Sequence, residues 1–335
     1  MAEQTMRLAL ALNGYGLTVH LEGGIEREVL PWHELLLIAE TAEETGYEAI
    51  FTPEIRAREA FVTLAGFAAA TNEIRLATGV VPMASRTLDR MAMAAASLQD
   101  VTDGRFILGL GSDGSLQEAR AHIRHLRELL EGGEPVIETA EGTHVMSSID
   151  LATNEGLDVP IFLAALGPGM TELAGEVADG VILNWATPER VADARTQLAR
   201  GASLAGRDPH RVMVAVYVRA CLGHDEGHAL AALGEAAGQY ATMDKYRRQF
   251  EAMGLGAEAL AAAHAWTSGR PDRVPSSLLG GVCVWGTREE ALQRLAEYGR
   301  AGADLVVVYP VPAQEAISST MGTLLAAAPN PAVEA

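Results

Sequence analysis

The feature that most constrains the fold of this chain is a regular alternation of short apolar segments with helical segments. Each of eight apolar segments is predicted to be a strand, and a helical pattern follows each of them. The strands lie at residues 6–12, 48–52, 74–81, 106–108, 160–164, 180–184, 211–221 and 304–309. Strands that are apolar on both faces and alternate with helices form parallel sheets. Eight such units predict a (β/α)8 TIM barrel.

The alternation leaves some alternatives open. Residues 281–285 could be a ninth strand, and a doubly wound open sheet would show the same alternation. The pattern lapses at about 132–159, where a hairpin or irregular excursion is expected, and at about 225–280, where an alanine-rich helical insertion is expected. Residues 14–30 are predicted to be a glycine-containing loop before a helix that begins near Pro31. We expect residues 1–335 to form a single barrel domain.

The fourth predicted strand leads into a turn with few side chains. Gly109, Gly111 and Gly114 form a G-x-G-x-x-G pattern, and the polar residues within 112–115 can cap the helix that follows. A dinucleotide-binding βαβ unit would place the next strand and an acid about twenty residues further on. The next strand begins only near residue 160, so we reject that interpretation. The turn instead suits a phosphate at the N-terminus of a helix.

A second turn of the same kind follows the fifth predicted strand. It consists of Gly167, Pro168, Gly169 and Met170. Glycine and proline in this arrangement can equally form an ordinary loop. The fourth and fifth strands of a barrel are neighbours, however, so two helix N-termini could bind one phosphate between them.

Composition and charge exclude several classes of function. The formal net charge of −19 disfavours nucleic acids and anionic membranes as partners. Of the 25 basic residues only Lys245 is a lysine, which disfavours Schiff-base and pyridoxal chemistry. Residues 1–7 show no secretory signal and no segment is long enough to span a bilayer, so a cytoplasmic protein is expected. Cys221 and Cys283 lie in apolar strands and are expected to be buried thiols.

The predicted strand ends carry few groups for acid–base or metal chemistry. No histidine stands at any of them, and the pairs His122/His125 and His224/His228 are at helical spacing. We therefore predict no metal site. Glu54 and Asp113 are the only acids placed near strand ends, which disfavours a glycosidase. Two glycine turns beside small, apolar strand ends instead suit a flat ring with a phosphate tail, where the cofactor supplies the chemistry.

Several segments of the sequence match the pattern of a known family. The most specific is residues 160–185, which reads PIFLAALGPGMTELAGEVADGVILNW. Residues 78–82 (TGVVP) with Arg86, residues 103–111 (DGRFILGLG), and residues 286–290 with 301–304 fit the same pattern. The chain resembles the bacterial luciferase-like monooxygenase superfamily, and within it the branch that uses the deazaflavin coenzyme F-420, including methylenetetrahydromethanopterin reductase.

The resemblance implies a (β/α)8 barrel, usually a homodimer, that moves a hydride between the reduced deazaflavin and a small-molecule substrate. In that branch the third strand carries a bulge with a non-prolyl cis peptide behind the deazaflavin ring. The matching bond here is Gly79–Val80. The residues that would contact the cofactor are Gly79, Val80, Val81, Gly111, Ser112, Gln117, Leu166, Gly167, Pro168, Gly169 and Met170.

The resemblance also assigns an acid to the second strand end. Glu54 falls where relatives carry an acid followed by a histidine, but Ile55 follows it here, which puts sugar-phosphate dehydrogenase activity in doubt. We expect Glu54 to donate or accept the proton, since a half-buried acid can have a raised pKa. An equally weighted alternative is an ion pair with Arg56 or Arg58.

Four residues are predicted to shape the substrate side: Asn13, Asn184, Trp185 and Arg219. Core packing is an equally credible role for Trp185. Two other functions remain open, an FMN-dependent monooxygenase of the same superfamily, and a catalytically silent barrel that acts as a binding protein. The identity of the substrate does not follow from the sequence.

Overall fold

A computed structural model of the chain describes residues 6–12, 15–21, 24–55, 58–133, 136–139, 142–145, 151 and 157–330. Its strands are β1 (Leu8–Ala11), β2 (Tyr15–Leu21), β3 (Gly24–Val29), β4 (Ala49–Thr52), β5 (Arg75–Thr78), β6 (Val81–Pro82), β7 (Phe106–Gly111), β8 (Val136–Thr139), β9 (Gly142–Val145), β10 (Ile161–Ala164), β11 (Gly180–Asn184), β12 (Met213–Leu222), β13 (Cys283–Gly286) and β14 (Leu305–Pro310).

The helices follow the strands as the sequence predicts. They are α1 (Trp32–Glu44), α2 (Ala60–Ala70), α3 (Leu88–Val101), α4 (Leu116–Leu130), α5 (Pro168–Val177), α6 (Pro188–Leu204), α7 (Glu226–Ala241), α8 (Asp244–Ala252), α9 (Gly256–Thr267), α10 (Ser276–Val282), α11 (Arg288–Arg300) and α12 (Ala316–Ala327). Short 3-10 turns occur at Met83–Ser85, Pro209–Arg211 and Pro271–Arg273.

The main sheet is a closed parallel barrel. Its strands run in the order β10, β11, β12, β14, β1, β4, β5, β7, and the pairing of β7 with β10 closes the ring. The strand β6 continues β5 along the same barrel position and also pairs with β7. The prediction of a (β/α)8 TIM barrel is therefore confirmed, with the eight predicted strands at the eight barrel positions.

The physical basis of the barrel is burial of the strands. Every residue of β14 is buried, and every residue of β1 and β4 is buried as well. Strands with no solvated face need helices around them, and an amphipathic helix covers them with an apolar stripe. In α4, for example, Ala119, Ile123 and Leu126 are buried while the opposite face carries charge.

The possible ninth strand exists but lies off the barrel. The strand β13 pairs with the second half of β12, with Arg219 opposite Cys283 and Leu222 opposite Gly286. Both cysteines are free and buried, and burial raises the pKa of each thiol to about 12. The expectation of buried thiols is therefore confirmed.

One excursion was predicted wrongly and two were predicted correctly. Residues 14–30 were expected to be a loop, but β2 and β3 form an antiparallel hairpin there. The missed signal is the period of two in Tyr15, Leu17, Val19 and Leu21, which is typical of a strand. The hairpin expected within 132–159 is β8–β9, and the helical insertion expected at 225–280 contains α7 to α10.

The described chain divides into two compact units. The first contains Met1–Phe51, Leu183–Arg195 and Val214–Ala335, and the second contains Thr52–Ile182 and Thr196–Met213. Within the described ranges, no helix is long and apolar enough to cross a membrane. Over the same ranges, no three histidine, cysteine or acidic side chains are grouped so that they could hold a metal ion.

Candidate active site

The third barrel strand carries a bulge, as the resemblance implies. Ala77 of β5 lies opposite Ile107 of β7, whereas Val81 of β6 lies opposite Leu110. Three residues on one strand therefore face two on the other, which is the definition of a β-bulge. The extra residue lies within 78–80, so the bulge falls on the predicted cofactor residues Gly79 and Val80.

The glycines of the fourth strand make room for this bulge. A Cβ atom added to Gly109 would lie 1.9 Å from the carbonyl oxygen of Thr78, and one added to Gly111 would lie 2.4 Å from Cγ2 of Val80. The hydroxyl of Thr78 also donates to the carbonyl of Gly109 and accepts from its N–H. We expected these glycines to clear a turn beyond a strand ending at residue 108. Instead the strand continues to Gly111, and both glycines are needed inside it for close packing.

The peptide bond between Gly79 and Val80 is trans, as are all peptide bonds of the described residues. The cis bond that the resemblance implies is therefore not found. The backbone of the bulge is held by its neighbours, since the N–H of Gly79 donates to the carbonyl of Thr52. The N–H of Glu54 donates to the carbonyl of Val80. These hydrogen bonds hold the position of the bulge, and the trans form of the peptide bond itself is the lower-energy form.

The two predicted glycine turns lie side by side in the second unit. The strands that precede them are paired, with Leu163 opposite Leu110. A Cβ atom added to Gly169, in the first turn of α5, would lie 3.2 Å from a methyl group of Leu116, the first residue of α4. The two helices are also joined by ion pairs from Arg120 and Arg124 to Glu176.

The two helix N-termini differ in what already occupies them. At α4 a capping box is complete: Ser115 accepts from the N–H of Glu118, and the Glu118 carboxylate accepts from Ser115. These hydrogen bonds lower the pKa of Glu118, which places a negative charge at this helix start. At α5 the cap residue is Gly167, which has no side chain, and a Cβ atom there would meet nothing within 4 Å. Only the α5 terminus is therefore open to an external anion.

The remaining cofactor residues lie around these two turns. Ser112, Leu166 and Met170 are half-buried, whereas Pro168 and Gln117 are exposed. The Ser112 hydroxyl accepts from the N–H of Gly114, so part of its hydrogen-bonding capacity is used within the turn. All of the predicted cofactor residues belong to the second unit.

Glu54 also belongs to the second unit, and its partner was not predicted. Arg86 donates to both carboxylate oxygens of Glu54, at 2.6 and 2.8 Å, and also pairs with Glu59. The N–H of Ala60 donates to the same carboxylate at 3.1 Å. The Arg86 guanidinium lies 4.9 Å from the ring centre of Phe61. Glu54 therefore forms an ion pair, but the partner seen is Arg86 rather than one of the two predicted arginines, of which Arg56 lies outside the described residues.

The electrostatics of Glu54 are opposite to our expectation. Burial alone raises the pKa of Glu54, but the hydrogen bonds from Arg86 and from the N–H of Ala60 outweigh it. The net result is a pKa below the usual range of a glutamate. The prediction of a raised pKa was wrong because the sequence does not show which cation reaches the carboxylate. At neutral pH Glu54 is therefore a carboxylate.

In the first unit, Asn184, Trp185 and Arg219 lie together. The guanidinium of Arg219 lies 4.4 Å from the ring centre of Trp185 and donates to Oδ1 of Asn184. The side-chain amide of Asn184 donates in turn to the hydroxyl of Tyr246, at 2.9 Å. Gln249 donates to the backbone carbonyls of both Asn184 and Trp185, each at 2.7 Å. Asn13, the fourth predicted substrate residue, lies outside the described residues.

Trp185 is both a core residue and a strained one. Its side chain is 0% exposed and packs on Tyr240 and Phe250. Its φ of 53° lies in the left-handed region, which costs a bulky residue of order 1–3 kcal/mol. The core-packing role is therefore present, together with a direct contact to Arg219.

Sequence reasoning missed the aromatic residues around Arg219. Tyr309 and Tyr240 place their rings 4.3 and 5.4 Å from its guanidinium, and Tyr217 packs edge-on against Tyr309. Position at a strand end could have indicated Tyr309. Nothing in the sequence pattern indicates Tyr240, which comes from the helical insertion.

Comparison with known proteins gives one family and several relatives. The family model described as luciferase-like monooxygenase matches residues 13–305. A 5,10-methylenetetrahydromethanopterin reductase of Methanolobus tindarius is 36% identical over 222 residues, which cover 61% of this chain and 66% of that protein.

Two solved structures illustrate the shared fold. The coenzyme F-420-dependent tetrahydromethanopterin reductase of Methanopyrus kandleri superposes with a TM-score of 0.77 at 19% identity, covering 96% of this chain and 98% of that one. The EDTA monooxygenase of Chelativorans sp. BNC1 superposes with a TM-score of 0.65 at 13% identity, covering 96% of this chain and 93% of that one. At these identities the superpositions establish the fold alone.

Proposed function

The chain belongs to the luciferase-like monooxygenase family, and from this premise we propose that it is an oxidoreductase that transfers a hydride between the deazaflavin coenzyme F-420 and a small organic substrate. The cofactor named for the Methanopyrus kandleri structure supports F-420 over FMN. FMN remains the alternative cofactor, because the family description is that of a monooxygenase.

The observation that carries the proposal is the pair of adjoining turns, of which one is an open helix N-terminus. Gly167 leaves the first N–H groups of α5 without a side-chain cap, and a Cβ atom there would enter free space. A helix N-terminus of this kind binds phosphate through its N–H groups and its dipole. Residues 166–170 would therefore hold the cofactor phosphate, with Ser112 and Gln117 of the neighbouring turn beside it.

The bulge provides the surface for the ring system. Gly79 has no side chain, Val80 is half-buried and Val81 is buried, so the surface offered is small and apolar. A flat ring binds to such a surface mainly by burying apolar area. When bound, the reduced deazaflavin would supply a hydride from carbon 5 of its ring; this chain would supply position and exclusion of water.

Glu54 is proposed to act as a carboxylate in this site. Since Arg86 keeps it ionised, it can accept a proton or stabilise positive charge, but it cannot supply a proton at neutral pH. Two nitrogens of the Arg86 guanidinium donate to the two oxygens of the Glu54 carboxylate and fix its orientation, so Arg86 is a positioning residue.

The substrate side is proposed to be formed by Asn184, Trp185 and Arg219, together with Asn13. We propose further that the chain forms a single domain, that it acts as a homodimer, and that it is cytoplasmic.

The experiment that tests the function is a fluorescence titration of the purified chain with F-420 and, separately, with FMN. The key variant is Gly167→Asp. Asp225 caps α7 by accepting from the N–H of His228, and an aspartate at 167 would occupy the α5 terminus in the same way. We expect F-420 affinity to fall by at least about tenfold, because the phosphate would lose one charge-assisted hydrogen bond and would be repelled by the aspartate carboxylate. Helix stability should be kept or increased.

The matched control is Gly167→Ala, which adds a methyl group in open space without a charge and should bind F-420 nearly as well as the wild type. Binding of FMN with no binding of F-420 would establish the monooxygenase alternative. Binding of neither would leave the catalytically silent barrel. Equal affinity of the aspartate variant and the wild type would contradict a phosphate at the α5 terminus.

A further inference from the structure

Two hydrogen-bond donors in the first unit are buried without a described acceptor, and a buried arginine of the same unit has only one. Trp185 Nε1 and the Tyr217 hydroxyl are buried with no hydrogen-bond partner among the described residues. Arg219 is 3% exposed, and within the described part of the chain its only hydrogen bond is to Asn184 Oδ1. A guanidinium has five N–H donors, so most of its donors are unused there.

Arg219 has one described acceptor, whereas the half-buried Arg105 and Arg288 each donate to several backbone carbonyls. Arg86 and Arg195 each pair with a carboxylate, of Glu54 and Asp304 respectively. Arg219 makes no ion pair with any described residue. A buried charge without a counter-charge is destabilising, and proteins rarely retain one unless a ligand or partner completes it.

The rings around Arg219 fix its orientation without satisfying its N–H groups. Trp185 and Tyr309 contribute cation–π contacts at 4.4 and 4.3 Å, and Tyr240 a longer one at 5.4 Å. Such contacts lie on the faces of the guanidinium or near them, and they leave hydrogen bonding to its edge. The edge of a guanidinium matches a carboxylate, which accepts two parallel hydrogen bonds.

The one described acceptor of Arg219 is already committed. Oδ1 of Asn184 accepts from Arg219, and the amide nitrogen of the same side chain donates to Tyr246. A group that satisfies the remaining donors of Arg219, Trp185 and Tyr217 (the Arg219 cluster) must therefore bring acceptors and negative charge from outside the described residues. Asn184, Tyr240 and Tyr246 are half-buried, so the cluster reaches the surface through them.

We propose that Arg219, with the Tyr217 hydroxyl and the Trp185 indole N–H, binds a carboxylate of the substrate, so that the substrate of this chain is an organic acid. The proposal rests on the proposed function in one respect, that the first unit contributes the substrate side. The binding of a carboxylate can nevertheless be measured without any cofactor.

The test uses thermal unfolding and tryptophan fluorescence with sodium acetate and sodium benzoate as probes. Acetamide and benzamide, at matched ionic strength, are the neutral controls. A ligand that binds only the folded state raises the melting temperature with a saturable dependence on concentration. We expect this response for the carboxylates and not for the amides.

Variants assign the response to the cluster. Arg219→Met should weaken carboxylate binding by at least about tenfold, and Tyr217→Phe by roughly threefold to tenfold, as expected for a charged and a neutral hydrogen bond. Arg219→Lys keeps the charge without the fork and should lie between wild type and Arg219→Met. Arg190→Met is the matched control: Arg190 is 8% exposed and lies in α6, and its loss should leave the carboxylate response unchanged.

The outcomes separate this inference from the proposed function. If no carboxylate binds, if amides act like carboxylates, or if Arg219→Met responds like the wild type, the inference is wrong and water is the acceptor in the cluster. Should Arg219→Met fail to fold, Tyr217→Phe and Arg219→Lys decide the question. Carboxylate binding in a chain that binds neither F-420 nor FMN would keep the acid site and remove the redox function. F-420 binding without carboxylate binding would keep the redox function and remove the acid site.

Discussion

At the scale of single residues, two arginines of this chain, Arg86 and Arg219, have different electrostatic environments. Arg86 lies between the carboxylates of Glu54 and Glu59, so its charge is neutralised by the protein itself. Arg219 lies among aromatic rings and makes no ion pair within the described ranges. Arg86 therefore holds the carboxylate of Glu54 in place, whereas the guanidinium of Arg219 is the group that we propose binds a ligand. The roles we propose for the two sites follow from this difference.

The Glu54–Arg86 pair predicts a pH-dependent contribution to stability. Replacing Glu54 by glutamine should lower the free energy of unfolding at pH 7 by about 1–3 kcal/mol, because Arg86 loses a half-buried partner. The pKa of Glu54 is lowered in the folded state, so the contribution is fully present above the pKa of the unfolded chain. It is lost as the pH falls through the lower folded-state pKa. Urea unfolding of wild type and Glu54→Gln from pH 7 to pH 3 measures the difference.

The control for this prediction is Glu48→Gln, which removes one partner of the Arg7–Glu48 ion pair. That pair is more exposed, with side chains 42% and 36% accessible, so its loss should change stability by less than about 1 kcal/mol. A difference between wild type and Glu54→Gln that is the same at pH 3 and pH 7 would show that the carboxylate charge is not the stabilising feature.

At the scale of elements, close approaches of backbone decide where glycine is needed. The helices α5 and α6 are in close backbone contact at two glycines. A Cβ atom on Gly175 would lie 2.2 Å from the carbonyl oxygen of Leu198, and a Cβ atom on Gly201 would lie 1.9 Å from the carbonyl oxygen of Glu172. The bulge in the third barrel strand imposes the same requirement on Gly109 and Gly111 of β7. Both elements that carry the predicted cofactor turns, β7 and α5, are therefore positioned by glycine contacts.

The crossing of α5 and α6 predicts opposite effects for the same substitution at two helical glycines. Gly201→Ala should destabilise the chain by about 1–3 kcal/mol, because its methyl group overlaps a backbone carbonyl that cannot move alone. Gly299→Ala in α11, where a Cβ atom meets nothing within 4 Å, should stabilise by roughly 0.5–1 kcal/mol through helix propensity. Urea unfolding measures both. A stabilising Gly201→Ala would show that the two helices can separate without loss.

At the scale of the whole molecule, neither compact unit is a continuous stretch of chain. The first takes residues from three segments and the second from two, and the strands β4 and β11 each contribute residues to both. No single cut of the chain separates one unit from the other. The proposal of a single domain therefore concerns two units whose segments alternate along the chain.

The single-domain proposal predicts one cooperative unfolding transition. In differential scanning calorimetry the calorimetric and van't Hoff enthalpies should agree, since each unit is complete only when separate segments of the chain have come together. A saturating ligand of either unit should then raise the temperature of that one transition. Two resolved transitions, with a ligand moving only one of them, would contradict a single domain.

The fold could be read from the sequence because its determinants are local. The period of each strand and helix and the breaks at glycine and proline predicted eight βα units, and the structure contains them. The hairpin β2–β3 was missed although its alternation of apolar residues was visible. Adjacency of the two glycine turns also followed from the sequence, because consecutive parallel strands of a barrel are neighbours.

What the sequence by itself determined is therefore the barrel and the placement of two glycine turns on neighbouring strands. Only the tertiary structure decided that Arg86, 32 positions away, keeps Glu54 ionised, and that Arg219 is enclosed by aromatic rings without a carboxylate from any described residue. The physical reason is the distance along the chain over which each kind of interaction acts. Backbone periodicity and turn chemistry act over a few residues, whereas the pairing and burial of a charge depend on which distant side chains converge on it.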